Sequence, residues 1–147
     1  MANVIHISQM VSLALHSMAI IAANPEGLTA MRNIANQLSC SENHLVKVLQ
    51  RLTKSGFLTT VRGPKGGFKL AKPAAEITML AIFEAIEGPW QDPVCPTNCT
   101  HCSFNSCIFG GLPQSLNQQF HQYLAAQTVA DIAQNLSGQL TVCRPAQ

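Results

Sequence analysis

The stretch from residue 29 to residue 71 constrains the fold more than any other part of the chain, because two short helical patterns follow each other there. Thr29 is predicted to cap a helix that runs through Leu38, and the hydroxyl of Ser41 is predicted to cap another that runs to about Ser55. Only three or four residues separate the two helices. This arrangement is typical of a helix-turn-helix.

Two short strand patterns follow these helices and enclose a glycine-rich turn. The strands are predicted at 57–61 and 68–71, and the tip between them reads Arg62-Gly63-Pro64-Lys65-Gly66-Gly67. The glycines permit positive φ and a close approach to a partner, and Arg62 is placed to reach a narrow, electronegative minor groove. The predicted fold is therefore mainly α with a small β-hairpin, a winged helix-turn-helix.

The second of the two helices has an apolar face and a cationic, amide-rich face. Its apolar side chains recur at i, i+3, i+4 and i+7 and are predicted to be buried. They are Leu45, Val48, Leu49 and Leu52. The side chains that then face outward are Asn43, His44, Lys47, Gln50, Arg51 and Lys54. Such side chains can reach phosphates and the edges of bases in a major groove.

The positive charge of the chain is concentrated in the same stretch. Eight of the nine lysines and arginines lie between Arg32 and Lys72, where Glu42 is the one acidic residue, so this window carries +7. The rest of the chain has one cation and six acidic residues and carries −5, and the whole chain carries +2. A cationic block favours a phosphate-binding surface, because an ordinary solvated surface mixes both signs.

Further helical patterns lie before and after this block. An apolar stripe from Ile7 to Ala22 predicts an N-terminal helix, which Asn24-Pro25-Glu26-Gly27 ends. Thr78 is predicted to cap a short helix through Glu87.

A long C-terminal helix is predicted near the end of the chain, with Pro113 in its first turn, and a second helical phase starts near Thr128. Leu116, Phe120, Tyr123 and Leu124 share one face of the long helix. An apolar face of this kind needs a partner, so the helix either covers the N-terminal domain or forms a dimer seam.

These patterns divide the chain into four predicted parts. Residues 1–88 form the winged helix-turn-helix DNA-binding domain, and residues 89–111 form a cysteine-rich cluster loop. Residues 112–137 form a dimerisation helix and a short following helix, and residues 138–147 form a flexible tail.

The cysteine pattern is the most specific chemical signal in the sequence. Four of the six cysteines fall within thirteen positions as C-x3-C-x2-C-x4-C: Cys95, Cys99, Cys102 and Cys107. Soft thiolates in one short loop suit an iron-sulfur cluster, 2Fe-2S or 4Fe-4S, better than the separated knuckles of a zinc ribbon. A structural zinc and a redox disulfide remain alternatives, whereas Cys40 is predicted to be a small buried apolar residue.

Several classes of function lack support in the sequence. No Ser-His-Asp arrangement, pair of catalytic carboxylates or phosphate-binding loop motif is present, so the chain is not expected to be an enzyme. The apolar run 13–23 is interrupted by His16 and Ser17, and no Lys or Arg precedes it, which argues against a signal peptide and a membrane span. Without an export signal we expect a cytoplasmic protein, and in that reducing compartment clustered cysteines more often hold metal or do redox chemistry than form structural disulfides.

At residues 4–137 the chain resembles the IscR/NsrR regulators of the Rrf-two superfamily, which are winged helix-turn-helix transcription factors. The resemblance rests on the segments 13–15, 41–48, 61–67 and 82–88 and on the cysteine loop before a long helix. It implies a homodimer in which the long C-terminal helices form an antiparallel seam. It also implies that the cluster loop lies close to the N-terminal helix of the partner subunit.

The resemblance also bears on the cluster ligands. Family members usually supply three cysteines and one non-cysteine ligand, and Cys95, Cys102 and Cys107 fit the family spacing best. Cys99 is then a surplus or substitute ligand. In the NsrR branch an acidic residue of the partner's first helix completes the site, and Gln9 occupies that position here.

An amide is a poor ligand for iron, so other donors must be considered for this role. Cys99, His6 and His101 are the alternatives to Gln9 as the last ligand.

We therefore expect a homodimeric transcription regulator that binds an inverted-repeat operator in double-stranded DNA and senses iron-sulfur, redox or nitric oxide status through its cluster. The candidate DNA-binding residues are Ser41, Asn43, His44, Lys47, Arg51, Arg62 and Lys65. One alternative is a DNA-binding regulator with a structural zinc or a thiol-disulfide switch. A small iron-sulfur electron carrier is another, but it leaves the cationic block unexplained.

Overall fold

The computed structural model describes residues 7–24, 26–91 and 104–136. Within these ranges the chain forms six α-helices and one antiparallel pair of strands. The elements are α1 (Gln9–Ala23), α2 (Met31–Leu38), α3 (Glu42–Lys54), β1 (Leu58–Val61), β2 (Gly67–Leu70), α4 (Met79–Glu87), α5 (Leu112–Ala126) and α6 (Val129–Gln134). A short 3-10 turn (Ala74–Glu76) precedes α4. The predicted fold class, mainly α with a small hairpin and a long C-terminal helix, is confirmed.

Helix α1 lies at the centre of the fold and contacts α2, α3, α4, α6 and β2. Side chains on more than one of its faces are buried, including Val11, Met18 and Ile20. The prediction that the buried stripe starts at Ile7 is wrong, because Ile7 precedes the helix and is 48% exposed. The helix starts later because the Ser8 Oγ accepts a hydrogen bond of 3.2 Å from the Val11 N–H and caps it.

The apolar face of α3 and its cap are confirmed. Leu45, Val48, Leu49 and Leu52 are each 0% exposed and belong to the main hydrophobic core. Full burial of side chains of this size contributes about 1.5–3 kcal/mol each to folding. At the start of α3 the Ser41 Oγ accepts a hydrogen bond of 3.3 Å from the His44 N–H. The helix is thereby fixed along its inner side and at its N-terminus.

The predicted cap of α2 is wrong. Ala30 occupies the N-cap position without a side-chain hydrogen bond, and Thr29 lies one residue earlier. The Thr29 hydroxyl instead accepts a hydrogen bond of 3.0 Å from the Asn24 Nδ2 atom. The Thr29 backbone pairs with Phe68, so the residue joins the hairpin to the loop between α1 and α2.

The hairpin is regular, and its register pairs Leu58 with Leu70 and Val61 with Gly67. Two backbone hydrogen bonds of 2.9 Å, one in each direction, link Phe68 to Thr29. The second strand is thereby anchored to the helical part of the domain, and the tip between the strands extends from that anchor.

The C-terminal helices pack on the N-terminal part of the chain. On α5, Phe120 contacts the ring of Phe83 in α4 at 6.2 Å between centroids, and Leu124 is buried. Helix α6 packs against α1 and starts with a capping box between Thr128 and Asp131. One side of α5 thus covers the domain, while Tyr123 stays 57% exposed. No helix in the described ranges is long and apolar enough to cross a membrane.

Candidate nucleic-acid interface

The outer face of α3 carries the predicted polar and cationic residues. Asn43, His44, Lys47, Gln50, Arg51 and Lys54 are all exposed, as the helical period requires once the opposite face is buried. Glu42 in the first turn forms a surface ion pair with Arg32, with 3.7 Å between the Arg32 Nε and the Glu42 carboxylate. An exposed pair of this kind contributes little to stability, but it gives Arg32 an acidic partner within the protein.

Two other cations of the block are also engaged. The Arg51 Nη1 atom donates a hydrogen bond of 2.7 Å to the backbone carbonyl of Ile86 in the last turn of α4. The Lys72 ammonium lies 5.9 Å from the centroid of the Phe57 ring. In the described part of the chain, no hydrogen bond or ion pair engages the side chains of Lys47, Lys54, Arg62, Lys65 or Lys69. These cations remain available to phosphate groups.

The tip of the hairpin presents Arg62 and Lys65, both exposed. Gly63 has a φ of +119°, and the Gly66 N–H donates a hydrogen bond of 2.9 Å to the Gly63 carbonyl. A Cβ on Gly66 would lie 2.3 Å from the Val61 carbonyl oxygen, so this turn has no room for a side chain there. The glycines therefore shape the turn that carries the two cations.

The end of α4 is enclosed by aromatic side chains, of which the sequence pattern indicates only Phe120 as part of an apolar face. The Trp90 ring lies 5.4 Å from Phe83, 6.0 Å from Phe120 and 4.9 Å from His121, measured between ring centroids. The backbone N–H of Trp90 donates a hydrogen bond of 2.9 Å to the Glu84 carboxylate. This cluster ties α4 to α5 where the chain leads towards the cysteines.

The cysteine segment is described only at its end. Cys107 is exposed, and its carbonyl accepts a hydrogen bond of 2.9 Å from the Gly110 N–H. The predicted ligands Cys95, Cys99 and Cys102, and the alternatives His6 and His101, lie outside the described residues. Gln9 is the first residue of α1 and is exposed. Over residues 7–24, 26–91 and 104–136, no group of three or more His, Cys, Asp or Glu side chains is arranged to hold a metal ion.

Cys40 precedes that segment by many residues in the sequence and lies in the turn before α3. It is partly buried and packs against the hydrophobic core, and burial raises the pKa of its thiol above the ordinary value of 9.0. The interpretation of Cys40 as a packing residue agrees with this position, although its burial is incomplete.

Comparisons with known proteins agree with this geometry. The model of the Rrf2 family, described as an iron-dependent transcriptional regulator, matches residues 7–135. A protein of Aquifex aeolicus (strain VF5) assigned as an HTH-type transcriptional regulator is 30% identical over 128 residues, covering 85% of this chain and 89% of that protein.

Solved structures also share this fold. The structure of CymR (YrzC), the global cysteine regulator of B. subtilis, superposes with a TM-score of 0.75 at 25% identity and covers 89% of this chain and 98% of that one. The structure of T. potens IscR gives a TM-score of 0.70 at 22% identity over 89% of this chain and 88% of that one, a likeness of fold alone. Because the family model spans almost the whole sequence, the chain belongs to the Rrf2 family of DNA-binding transcriptional regulators, which are not enzymes.

Proposed function

We propose that this regulator acts in the cytoplasm as a homodimer, binds an inverted repeat in duplex DNA, and carries an iron-sulfur cluster on its cysteine segment that sets its affinity for the operator. The observation that carries the DNA-binding part is α3. Its inner side chains are fully buried, while its outer face offers amides and, among the described residues, two cations that no hydrogen bond or ion pair engages, Lys47 and Lys54. A rigid helix with such a face fits a major groove.

The roles of the residues follow from their positions. Asn43 and His44 lie in the first turn of α3 and read base edges, while Lys47 binds phosphate one turn later. Arg62 enters the minor groove beside the recognised bases, and Lys65 binds the backbone there. Ser41 caps α3, and because it lies at the start of the recognition helix its hydroxyl can also contact a phosphate group. In a symmetric dimer the two half-sites lie about 10 bp apart or a multiple of that.

The cluster is proposed from the chemistry of the donor set. Cys107 is exposed and free to bind a metal, and Cys95, Cys99 and Cys102 supply further soft thiolates in the same short segment. A bound cluster supplies a group that oxidants and nitric oxide can alter. The fourth ligand is Cys99, His6, His101 or Gln9, and Gln9 is exposed at the start of α1 where a partner subunit can approach.

The homodimer is supported by apolar side chains that the monomer leaves exposed. Large hydrophobic residues around the start and along the outer side of α5 are between 54% and 70% exposed: Phe104, Ile108, Phe109, Leu112 and Tyr123. Exposed apolar groups of this extent indicate an interaction surface. Light scattering should give twice the chain mass of 15.8 kDa, and the mass of one chain would contradict the dimer.

The DNA interface is tested with a matched pair of arginine variants. An operator is first selected from random duplexes with the wild-type protein. Arg62→Ala should weaken binding to it by about 1–3 kcal/mol if Arg62 reads the groove, and a loss that is uniform across sequences would make Arg62 a phosphate anchor. Arg32→Ala is the control: it also removes one positive charge, but from a residue that is already paired with Glu42, so the affinity for the operator should be nearly unchanged. Unchanged binding by Arg62→Ala would remove the wing from the interface.

The cluster is tested by purification without oxygen, followed by the visible spectrum and the content of iron, sulfide and zinc per chain. Matched iron and sulfide with a visible band are expected. Zinc without colour would favour the structural-zinc alternative, and neither metal, after anaerobic reconstitution, would favour a thiol switch. Cys107→Ser should abolish the cluster in a folded dimer, while Cys40→Ser, which lies far from that segment in the sequence, should retain it. Full iron content in Cys107→Ser would refute the ligand assignment.

A further inference from the structure

The hydrogen bond between Arg51 and Ile86 joins the proposed recognition helix to the far end of another element. The two residues are 35 positions apart in the sequence, and the contact is partly buried. Carbonyls in the last turn of a helix lack intrahelical partners and carry partial negative charge. The backbone N–H of Trp90, which follows this turn, donates to the Glu84 carboxylate. The Arg51 guanidinium thus satisfies a carbonyl at the negative end of α4.

The same turn of α4 is also held by α1 and α5. The Ser8 hydroxyl, which caps α1, donates a short hydrogen bond to the Glu87 carboxylate. Trp90, three residues after α4 ends, packs against Phe120 and His121 of α5. From Trp90 the sequence runs within five residues to Cys95. The end of α4 therefore contacts three helices, α1, α3 and α5.

Helix α3 is not closely packed at this edge. A cleft of about 430 Å³ lies between the start of α1 and the outer side of α3, lined by Met10, Lys47, Gln50, Arg51 and Lys54. On this outer side, the hydrogen bond from Arg51 is a polar contact that holds α3 to the end of α4, in addition to the apolar packing of its inner face. A small displacement of the end of α4 would act on α3 through that contact.

We propose that Arg51 is a positioning residue that couples the orientation of α3 to the end of α4, rather than a DNA contact. This inference rests on the proposed role of α3 in DNA binding. Lys47, one turn earlier on the same face, has no such contact among the described residues and is the phosphate-binding cation. Coupling is reciprocal, so DNA that holds α3 must in turn bias the end of α4.

The proposal is tested with Arg51→Gln and Lys47→Gln in the full chain, purified without oxygen. Each variant removes one positive charge from the same helix face. Lys47→Gln should lower the slope of log affinity against log salt concentration by about 0.9, because one phosphate contact is lost. Arg51→Gln should weaken operator binding about 10-fold, the size expected for one hydrogen bond to a charged group, with the wild-type slope.

A second signal in these variants is the fluorescence of Trp90, the single tryptophan of the chain. Arg51→Gln should shift its emission in the DNA-free protein, and Lys47→Gln should not. A reduced salt slope with unchanged Trp90 emission in Arg51→Gln would make Arg51 a phosphate contact and overturn the proposal. If Lys47→Gln had no effect on affinity, α3 would fail as the DNA helix, while the Trp90 shift would still report the contact between α3 and α4.

A further measurement needs only the wild-type chain and therefore does not depend on how well a variant folds. Amide hydrogen exchange of residues 84–88 is compared with and without operator DNA. Reciprocal coupling predicts slower exchange in the complex at these amides, although the proposed DNA contacts lie on α3 and the hairpin. Exchange rates at residues 84–88 that do not change on DNA binding would overturn the proposal.

Discussion

One added methyl group, on Gly67, should disrupt the attachment of the hairpin to the helical part of the domain. A Cβ placed on Gly67 would lie 2.5 Å from the Thr29 carbonyl oxygen and 2.7 Å from its carbonyl carbon. Ordinary contacts of a Cβ begin at 3.4 Å, so Gly67→Ala must push β2 away from the loop between α1 and α2. Both neighbouring atoms belong to the backbone, which cannot turn aside as a flexible side chain would.

The displacement falls on the two hydrogen bonds of 2.9 Å between Phe68 and Thr29. If these two hydrogen bonds are stretched past the usual range, their loss costs about 2 kcal/mol of stability. Because Thr29 is buried, its unpaired backbone groups add a further penalty. Alanine offsets about 0.4–1 kcal/mol by restricting the unfolded chain. We expect Gly67→Ala to lower the free energy of unfolding by about 2–3 kcal/mol, or the Tm by roughly 6–9 °C.

The assay is thermal and urea unfolding followed by circular dichroism, with Lys69→Ala as the control. Lys69 is an exposed residue on the same strand, and its replacement should change stability by no more than about 0.5 kcal/mol. Gly67→Ala should also weaken operator binding at temperatures where it stays folded, because the hairpin is no longer held at its angle. Wild-type stability for Gly67→Ala would refute the anchoring of the hairpin through Thr29.

Three further outcomes are expected. Ser41→Ala should lower the free energy of unfolding by about 1 kcal/mol, because the His44 N–H loses its cap; equal urea midpoints would contradict the cap. Burial raises the pKa of Cys40, so at pH 8 iodoacetamide should label it more slowly in the native protein than in urea, as peptide mass spectrometry would detect; equal rates would contradict its burial. Hydrogen bonds from the Thr128 hydroxyl and backbone N–H hold the pKa of Asp131 below its ordinary value of 3.8, so this carboxylate stabilises the fold above that pH and loses its effect as the pH falls towards the lower folded pKa. Melting curves of wild type and Asp131→Asn should therefore differ at pH 6 and converge in acid, and a constant difference would contradict the capping box.

Much of the DNA-binding domain could be predicted because its signals are local. The inner face of α3 follows from a helical period, and the caps at Ser41 and Thr78 follow from a hydroxyl placed just before an apolar stripe. The hairpin follows from two short strand patterns around a glycine-rich turn, and its observed strands differ from the prediction by one residue at each start and at the second end. Each of these features depends on residues within a few positions of one another.

The errors at Thr29 and Ile7 have a common cause. A threonine before a helix can cap the helix or can form other contacts. The backbone of Thr29 pairs with Phe68 in a strand far along the chain, and its hydroxyl accepts a hydrogen bond from the Asn24 side chain. Ile7 has the spacing of a buried residue, but Ser8 is the N-cap, so the helix begins after Ile7. Periodicity carries no information about which tertiary partner competes for a residue.

The contacts of Arg51 and Trp90 could not be predicted for the same reason. A helical wheel places Arg51 outward, and only the packing of α4 beside α3 puts the Ile86 carbonyl within its reach. Trp90 follows Gly88 and Pro89 in a segment without apolar period, so nothing local indicates that it packs between α4 and α5. For the cysteine segment the spacing in the sequence remains the ground of the proposal, with Cys107 as the ligand candidate whose exposure is described.

The most direct test of the account is the operator affinity of one anaerobic preparation, measured before and after its cluster is removed. The same chains and the same duplex are used, and iron and sulfide are assayed in both samples. The account predicts that the two forms differ at least about 10-fold in affinity, a coupling free energy of about 1.4 kcal/mol or more. Equal affinities in the loaded and cluster-free forms would contradict a cluster that controls DNA binding.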